Sequence, residues 1–270
     1  MGYKLGIIGV GNMAKAIISG IQKANIDISE IILFDKNSEQ YSNLPEETCP
    51  YKISNSIHDT VTSADCILLS VKPQNMSDIL NEISKVEEHA QKLYITIAAG
   101  VSVSFVSGAL GNARTVRVLP NLPMTVGHGV SVICRNDDIT KEDFSFICSI
   151  FTPTGSILII DESQMNRIIG VTSSSPAYVF KFINAIYKGA QAQGLPSEGL
   201  VEAICDVFIG SALLLKQSGE SPDQLVSKVA SKGGTTEQAL LCLENADIDN
   251  IILEAMLACT KRADELGENK

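Results

Sequence analysis

The chain has 270 residues and a formal net charge of −10 at pH 7. This charge argues against non-specific binding of nucleic acid, because a surface that repels phosphate releases no counterions on contact. No apolar run approaches the ~18 residues that cross a bilayer, and the N-terminus lacks the pattern of a secretory signal, so we expect neither a membrane protein nor an exported one.

The seven cysteines lie far apart in the sequence, and none of them forms a pair with the spacing of a redox motif or a metal site. We therefore predict reduced thiols, a cytoplasmic location and no bound metal. Cysteines of this kind usually serve as small apolar core residues. They are Cys49, Cys66, Cys134, Cys148, Cys205, Cys242 and Cys259.

The first part of the chain, from residue 4 to about 160, alternates short apolar runs with helical patterns. This rhythm is typical of a parallel sheet covered by helices on both faces. Most of the runs are continuously apolar and rich in Ile and Val, as expected for strands that are buried on both faces. The predicted strands are residues 5–9, 31–35, 66–71, 93–98, 115–119, 130–134 and 157–160.

A glycine-rich turn follows the first predicted strand and opens a helix, with Gly9, Gly11, Asn12 and Met13 at its centre. Gly9 suits a tight turn, and Gly11 lets the backbone approach a pyrophosphate held at the positive end of the helix. Asp35 ends the second strand, where dinucleotide-binding sheets carry an acidic residue. This context predicts a dinucleotide site.

The coenzyme choice stays open at the end of the second strand. Asp35 suits the ribose hydroxyls of NAD, whereas Lys36, Asn37 and Ser38, which follow it directly, suit the 2′-phosphate of NADP. We favour NAD because the Asp35 carboxylate should repel a 2′-phosphate. Lys72 follows the predicted strand 66–71, at the end of the sheet where an open parallel sheet binds its ligand, so we predict that it faces the cofactor. The alternative is a solvated lysine at the start of a loop.

Beyond residue 161 the β-rich runs stop, and helical patterns cover residues 177–193, 198–217, 221–230 and 251–265. The segment 201–215 is apolar on almost every face. Such a helix is either central to its domain or buried against a second subunit. We favour the subunit, because this half of the chain is too small to bury the helix alone.

Several motifs occur together in a fixed order along the chain. Taken together they resemble the pyrroline-5-carboxylate reductase family, and the resemblance spans nearly the whole sequence. The motifs that carry it are residues 9–14, 70–74, 98–101, 117–121, 176–180 and 233–236.

The resemblance implies an α/β fold, with a Rossmann-type doubly wound sheet at residues 1–160 and an all-α domain for substrate binding and dimerisation at 161–270. It implies a homodimer formed through the helical domain, alone or within a larger assembly of dimers. The implied activity is the reduction of 1-pyrroline-5-carboxylate to L-proline with NADPH or NADH, which makes the partner a small imino acid.

The resemblance also implies individual roles in the cofactor site. Asn55, Lys72 and Pro73 fall on the adenosine and ribose side of the cofactor, and Val71 is a further cofactor residue. The nicotinamide is approached by Ala99 and Gly100.

The substrate loop that the resemblance places at the dimer interface contains Ser231, Gly233, Gly234, Thr235 and Thr236. The residues themselves suggest a chemistry, since successive backbone N–H groups at a helix start bind a carboxylate. The Thr236 hydroxyl is then the candidate catalytic group, donating a hydrogen bond to the imine nitrogen. An ordinary helix cap made by Thr235 is the alternative interpretation.

Some positions depart from the family pattern. Ser173 and Ser175 replace two glycines, Lys232 replaces a proline and His128 replaces a glutamate. These changes keep two other hypotheses open. One is a paralogue that reduces another cyclic imino acid or a small carbonyl acid, for which Lys181 is a candidate catalytic residue; the other is a non-catalytic dinucleotide-binding protein.

Overall fold

The computed structural model of the protein describes residues 2–24, 26–45 and 49–268. The chain forms two compact units. One contains the residues up to 174 together with those from 257 onward, and the other contains residues 175–256. The domain boundary expected between residues 160 and 161 stays a prediction.

The first unit is built on an eight-stranded sheet with the order β3-β2-β1-β4-β5-β6-β7-β8. All neighbouring strands are parallel except β6 and β7, which are antiparallel. The strand order reverses direction between β1 and β4, and this is the point at which open α/β sheets bind their ligands. The strands are β1 (Tyr3–Ile8), β2 (Ile28–Phe34), β3 (Tyr51–Ile53), β4 (Cys66–Leu69), β5 (Leu93–Thr96), β6 (Arg114–Leu119), β7 (Gly129–Arg135) and β8 (Gly155–Ile159).

Helices cover both faces of this sheet, which confirms the predicted doubly wound α/β fold. On one face α1 and α5 bury an apolar cluster that includes Ile17 and Ile147, and on the other face α2, α3 and α4 bury a second cluster that includes Val61 and Ile79. The helices of this part of the chain are α1 (Asn12–Lys23), α2 (Ile57–Ser63), α3 (Met76–Ile83), α4 (Val103–Ala109), α5 (Lys141–Phe151) and α6 (Ile169–Thr172).

The antiparallel pairing of β6 with β7 is an exception in the otherwise parallel sheet that the sequence predicted. Residues 120–128 join the two strands, and the segment is shorter than the dozen or so residues that a parallel crossover requires. It contains one 3-10 turn, Leu122–Val126, and no α-helix. Chain length alone therefore dictates that β7 returns alongside β6.

The second unit is helical, as predicted. Its elements are α7 (Ser175–Ala192), α8 (Leu200–Ser218), α9 (Pro222–Val229), α10 (Thr235–Asn245) and the first part of α11 (Ile248–Glu268), which continues into the first unit. Helix α9 begins with a capping box, in which the Ser221 hydroxyl and the Gln224 side chain satisfy backbone groups reciprocally. Among the described residues, no helix is both long and apolar enough to cross a membrane.

Helix α8 is not the centre of its own unit. Ile204 is its only buried side chain, whereas Val207, Ile209 and Leu214 are exposed, and Val207 retains 65% of its accessible surface. The interpretation of this helix as central to a single-chain core is therefore wrong.

Candidate dinucleotide and imine site

The carboxyl ends of β1, β2 and β4 enclose an open cleft of about 390 Å³. Three loops form its walls, because the parallel strands end at the same edge of the sheet. The predicted cofactor residues that line it are Gly9, Gly11, Asp35, Lys36, Val71 and Lys72.

The two glycines of the turn are glycines for different reasons. Gly9 has a φ of +94°, and a Cβ there would lie 2.5 Å from the backbone oxygen of Ser70, so the fold itself requires glycine. A Cβ on Gly11 would meet no atom within 4 Å. Since packing does not explain Gly11, the open space in front of it fits a ligand that approaches the backbone.

The start of α1 is prepared for an anion. Gly11 is its N-cap, no described side chain caps it, and its first turn contains no acidic residue. The first amide groups of the helix, including those of Asn12 and Met13, therefore point their N–H bonds out of the helix end without a carboxylate competitor. A pyrophosphate fits these donors.

Asp35 is fixed by backbone groups on both sides. Its Oδ2 accepts a hydrogen bond from the Val10 amide at 2.7 Å, and its Oδ1 accepts one from the Asn37 amide at 2.8 Å. The Tyr41 hydroxyl accepts a hydrogen bond from the Asp35 amide at 2.7 Å. Both carboxylate oxygens of Asp35 are thus held in a fixed orientation at the rim of the cleft.

Residues that the sequence interpretation missed also line this cleft. Gln40 lies in a 3-10 turn after β2, and Asn75 and Asp78 lie at the start of α3. Their position in the sequence was the signal that could have identified them, since these short segments follow the ends of β2 and β4. Two lysines, Lys36 and Lys72, supply the positive charge of the cleft.

Four predicted cofactor residues lie close in sequence to the cleft but are not among the residues that line it: Asn12 and Met13 of α1, Asn55 and Pro73. Asn55 is exposed in the loop between β3 and α2. Pro73 is the first residue of the 3-10 turn Pro73–Asn75, which precedes α3. Their roles toward a cofactor stay predictions.

The loop after β5 carries the residues predicted to face the nicotinamide. Ala99 is half-buried, and Gly100 is buried with a φ of +71°. A Cβ on Gly100 would lie 2.8 Å from the backbone oxygen of Ala263 in α11. Glycine is therefore required here both by the backbone conformation and by the close contact with the helix.

The motif that ends β6 has a structural role. The buried Asn121 donates a hydrogen bond from Nδ2 to the backbone oxygen of Thr172 and accepts one at Oδ1 from the Val130 amide, both at 2.9 Å. It thereby fixes the segment that leads into Ser173, whose Oγ is buried without a hydrogen-bond partner among the described residues. Ser173 has a φ of −83°, so its backbone does not need the glycine usual in the family.

The predicted substrate loop precedes α10. Gly233 has a φ of +76°, and its amide donates to the Glu237 carboxylate at 2.8 Å, while the Gly234 amide donates to the Ser231 backbone oxygen at 2.9 Å. Gly234 is the N-cap, so the alternative in which Thr235 caps the helix is wrong. The amides of Thr235 and Thr236 begin the helix without a side-chain cap.

Thr236 is half-buried and lines an apolar cleft of about 360 Å³ within the helical unit. Its walls are mainly apolar, and Thr236 and Ser211 are the hydroxyl-bearing residues among those that line it. The other residues that line it are Leu214, Leu215, Pro222, Leu225, Val226, Val229 and Leu240.

Other candidate residues lie at the surface of their own units. Lys181 is exposed on α7, His128 is exposed before β7, and Lys232 is exposed in the loop before α10. Within the described ranges, no three His, Cys, Asp or Glu side chains come close enough together to hold a metal ion.

Comparison with known proteins places this architecture in one family. A model described as pyrroline-5-carboxylate reductase dimerisation matches residues 162–266, and a model described as NADP oxidoreductase, coenzyme F420-dependent, matches residues 4–100. A pyrroline-5-carboxylate reductase of Escherichia coli (strain K12) is 32% identical, and the match covers 100% of both chains.

Solved structures agree. A 1-pyrroline-5-carboxylate reductase from Streptococcus pyogenes is similar at a TM-score of 0.87 and 26% identity, covering 98% of this chain and 99% of that one. A pyrroline carboxylate reductase from Plasmodium falciparum with NADP bound is similar at a TM-score of 0.86 and 26% identity, covering 98% of each chain. The chain therefore belongs to the pyrroline-5-carboxylate reductase family, as the sequence motifs indicated.

Proposed function

We propose that this protein reduces 1-pyrroline-5-carboxylate to L-proline, with NADPH or NADH as the reductant. The observation that carries the proposal is the cleft at the ends of β1, β2 and β4, where an uncapped helix start and the open space at Gly11 fit a pyrophosphate. Family membership over the full chain length supports the substrate.

Several residues of the first unit would hold the cofactor. The start of α1 would bind the pyrophosphate, while Asp35 and Lys36 would face the adenosine ribose. When bound, the reduced nicotinamide supplies a hydride at its C4 position. We assign Ala99 and Gly100 to its surroundings, since their loop follows β5 at the same edge of the sheet.

Residues at the start of α10 would bind the imino acid. The uncapped amides of Thr235 and Thr236 suit its carboxylate, and the mainly apolar walls beside Thr236 suit the methylene groups of the ring. The Thr236 hydroxyl would donate a hydrogen bond to the ring nitrogen, which polarises the C=N bond. The reduction needs one hydride on carbon and one proton on nitrogen, so a hydroxyl with access to water is sufficient.

We propose in addition that the helical region forms a homodimer. The apolar side chains of α8 lie at the surface of the single chain, and a match to the dimerisation model covers this helix. The domain boundary near residue 160 and a cytoplasmic location belong to the same proposal. Cys66 and Cys134, which are free thiols buried in the first unit, are consistent with a reducing compartment.

A spectrophotometric assay tests the proposed activity. We expect purified protein to oxidise NADH or NADPH only when 1-pyrroline-5-carboxylate is present, and L-proline to accumulate in equal amount. A control with a pyrroline that lacks the carboxylate should react far more slowly. Binding of both coenzymes without oxidation of either would favour the non-catalytic hypothesis, and turnover of only a different imino acid would favour the paralogue.

A further inference from the structure

A chain of polar side chains lies behind the loop that carries Ala99 and Gly100. Arg117 donates hydrogen bonds to Glu162 Oε1 at 2.9 Å and to Asn166 Oδ1 at 2.6 Å. Asn166 in turn donates from Nδ2 to Asp264 Oδ1 in α11 at 2.7 Å. These four residues, which we call the loop-support network, connect β6 to the last helix through the segment after β8.

The network contacts the loop at both of its sides. The Glu162 carboxylate accepts a hydrogen bond from the Val103 amide at 3.3 Å, and Val103 is the first residue of α4, which follows the loop. On the other side, Gly100 packs directly against the Ala263 backbone, one residue before Asp264. The loop is therefore held between Glu162 and the end of α11.

The charged side chains of the network lie in two different environments, one buried and one exposed to solvent. Arg117 is 2% exposed and its guanidinium has two side-chain acceptors, so Glu162 compensates a buried positive charge. Cys134 donates from Sγ to Glu162 Oε2 at 3.1 Å. Asp264, in contrast, lies in the solvent-exposed part of the network, on the wall of an open cleft of about 500 Å³ that Gly100 also lines.

We infer that the loop-support network fixes the residues at the nicotinamide end of the cofactor site, and that Asp264 is a positioning residue of the reaction. The inference rests on the proposed function, because hydride transfer tolerates little displacement of the nicotinamide. None of the four side chains lines the cleft beside Gly11, so the network acts through the loop.

The test compares three variants of the full-length protein. Asp264→Ala removes the acceptor for Asn166, whereas Asp264→Asn keeps an oxygen at the same place. Arg262→Ala is the matched control, since Arg262 is exposed on the same turn of α11 and pairs with Glu265. All three changes lie at the surface, so each variant should fold.

Hydrogen exchange and kinetic measurements distinguish a positioning role of Asp264 from a purely structural one. In Asp264→Ala we expect amide hydrogen exchange at residues 99–105 to be about tenfold faster. We also expect kcat to fall about tenfold with a larger primary deuterium isotope effect, while the dissociation constant for NADH changes less than about twofold. Asp264→Asn and Arg262→Ala should match the unmodified protein in all four quantities.

Some outcomes overturn the inference. The first is that hydrogen exchange and kcat are unchanged in Asp264→Ala. The second is that Asp264→Asn loses as much kcat as Asp264→Ala. The third is that kcat falls in Asp264→Ala while the isotope effect is unchanged, because this result indicates a smaller fraction of active protein rather than a displaced nicotinamide. If the unmodified protein does not reduce 1-pyrroline-5-carboxylate, the proposed function fails, and the exchange experiment still decides whether the network holds the loop.

Discussion

At the scale of single residues, the proposed proton transfer depends on Thr236. Thr236 is half-buried at the start of α10, and it is one of two hydroxyl-bearing residues that line a cleft with mainly apolar walls. The second hydroxyl belongs to Ser211. An imine bound in this cleft would have few other hydrogen-bond donors nearby. We therefore expect the loss of the Thr236 hydroxyl to leave the imine nitrogen without a good donor.

Thr236→Ala should lower kcat about 100-fold, because proton donation of this kind contributes about two orders of magnitude or more. Thr236→Ser keeps the hydroxyl and should retain most of the activity. The dissociation constant for NADH, measured by calorimetry, should be the same in both variants. Full activity in Thr236→Ala would remove the proposed proton donor.

Asp35 decides the coenzyme preference in this account. Its charge is held at the cleft by the amides of Val10 and Asn37, and a 2′-phosphate nearby would be repelled. In Asp35→Asn, which removes the charge and keeps an acceptor oxygen for one of these two amides, the ratio of the dissociation constants for NADPH and NADH should fall about tenfold, or about 1.4 kcal/mol. Asp78→Asn removes a charge from the same cleft and should leave the ratio nearly unchanged; an equal fall in both variants would contradict a specific role for Asp35.

The residues of the cleft were predictable to different degrees. Gly9, Gly11 and Asp35 follow strands that are recognisable from their apolar runs, so sequence alone places them at one edge of the sheet. Gln40 and Asn75 were missed: their position after the ends of β2 and β4 was a signal, but they lie in short turns whose approach to the cleft depends on tertiary packing. The same applies to the network of Arg117, whose partners come from distant parts of the chain.

At the scale of elements, strands with long apolar runs were predicted well, and all seven of them are present. Strand β3 was missed, because Tyr51–Ile53 is a three-residue edge strand without a buried side chain. The direction of β7 was missed although the length of the 120–128 connection already dictates it. Apolar pattern therefore identifies strands, whereas connection length determines their direction.

The turn between β1 and α1 provides a matched pair of substitutions. Gly9→Ala places a Cβ against the Ser70 backbone at a positive φ, so it should lower the free energy of unfolding by about 2 kcal/mol or more. Gly11→Ala meets no protein atom and should change that free energy by less than about 0.5 kcal/mol. It should nonetheless weaken NADH binding.

Urea denaturation and calorimetric titration of both variants check this pair. We expect Gly9→Ala to be less stable and Gly11→Ala to bind NADH more weakly. If Gly11→Ala binds NADH as tightly as the unmodified protein, the space in front of Gly11 does not belong to the cofactor.

At the scale of the whole molecule, the single chain leaves an apolar helix at its surface. Val207, Ile209 and Leu214 of α8 are all exposed, which is costly for a lone chain in water. The sequence predicted this helix correctly and left two interpretations of its apolar faces. A second copy of the chain is the partner that we propose for it.

Val207→Asp should shift the protein from a dimer, or a larger assembly, toward a monomer, because it introduces a charge into the proposed interface. Ser77→Asp adds the same charge to an exposed position of α3 and should leave the assembly intact. Size-exclusion chromatography with light scattering measures the mass of each variant. Unmodified protein that runs as a monomer at micromolar concentration would contradict the dimer.

A deuterium-labelled coenzyme provides the decisive experiment on hydride transfer by this protein. NADH with deuterium at the transferred C4 position is incubated with the protein and 1-pyrroline-5-carboxylate, and the product is examined by NMR and mass spectrometry. We expect L-proline with one deuterium at C5, the carbon of the former C=N bond. L-proline without deuterium, or no consumption of the imine, would contradict direct hydride transfer by this protein.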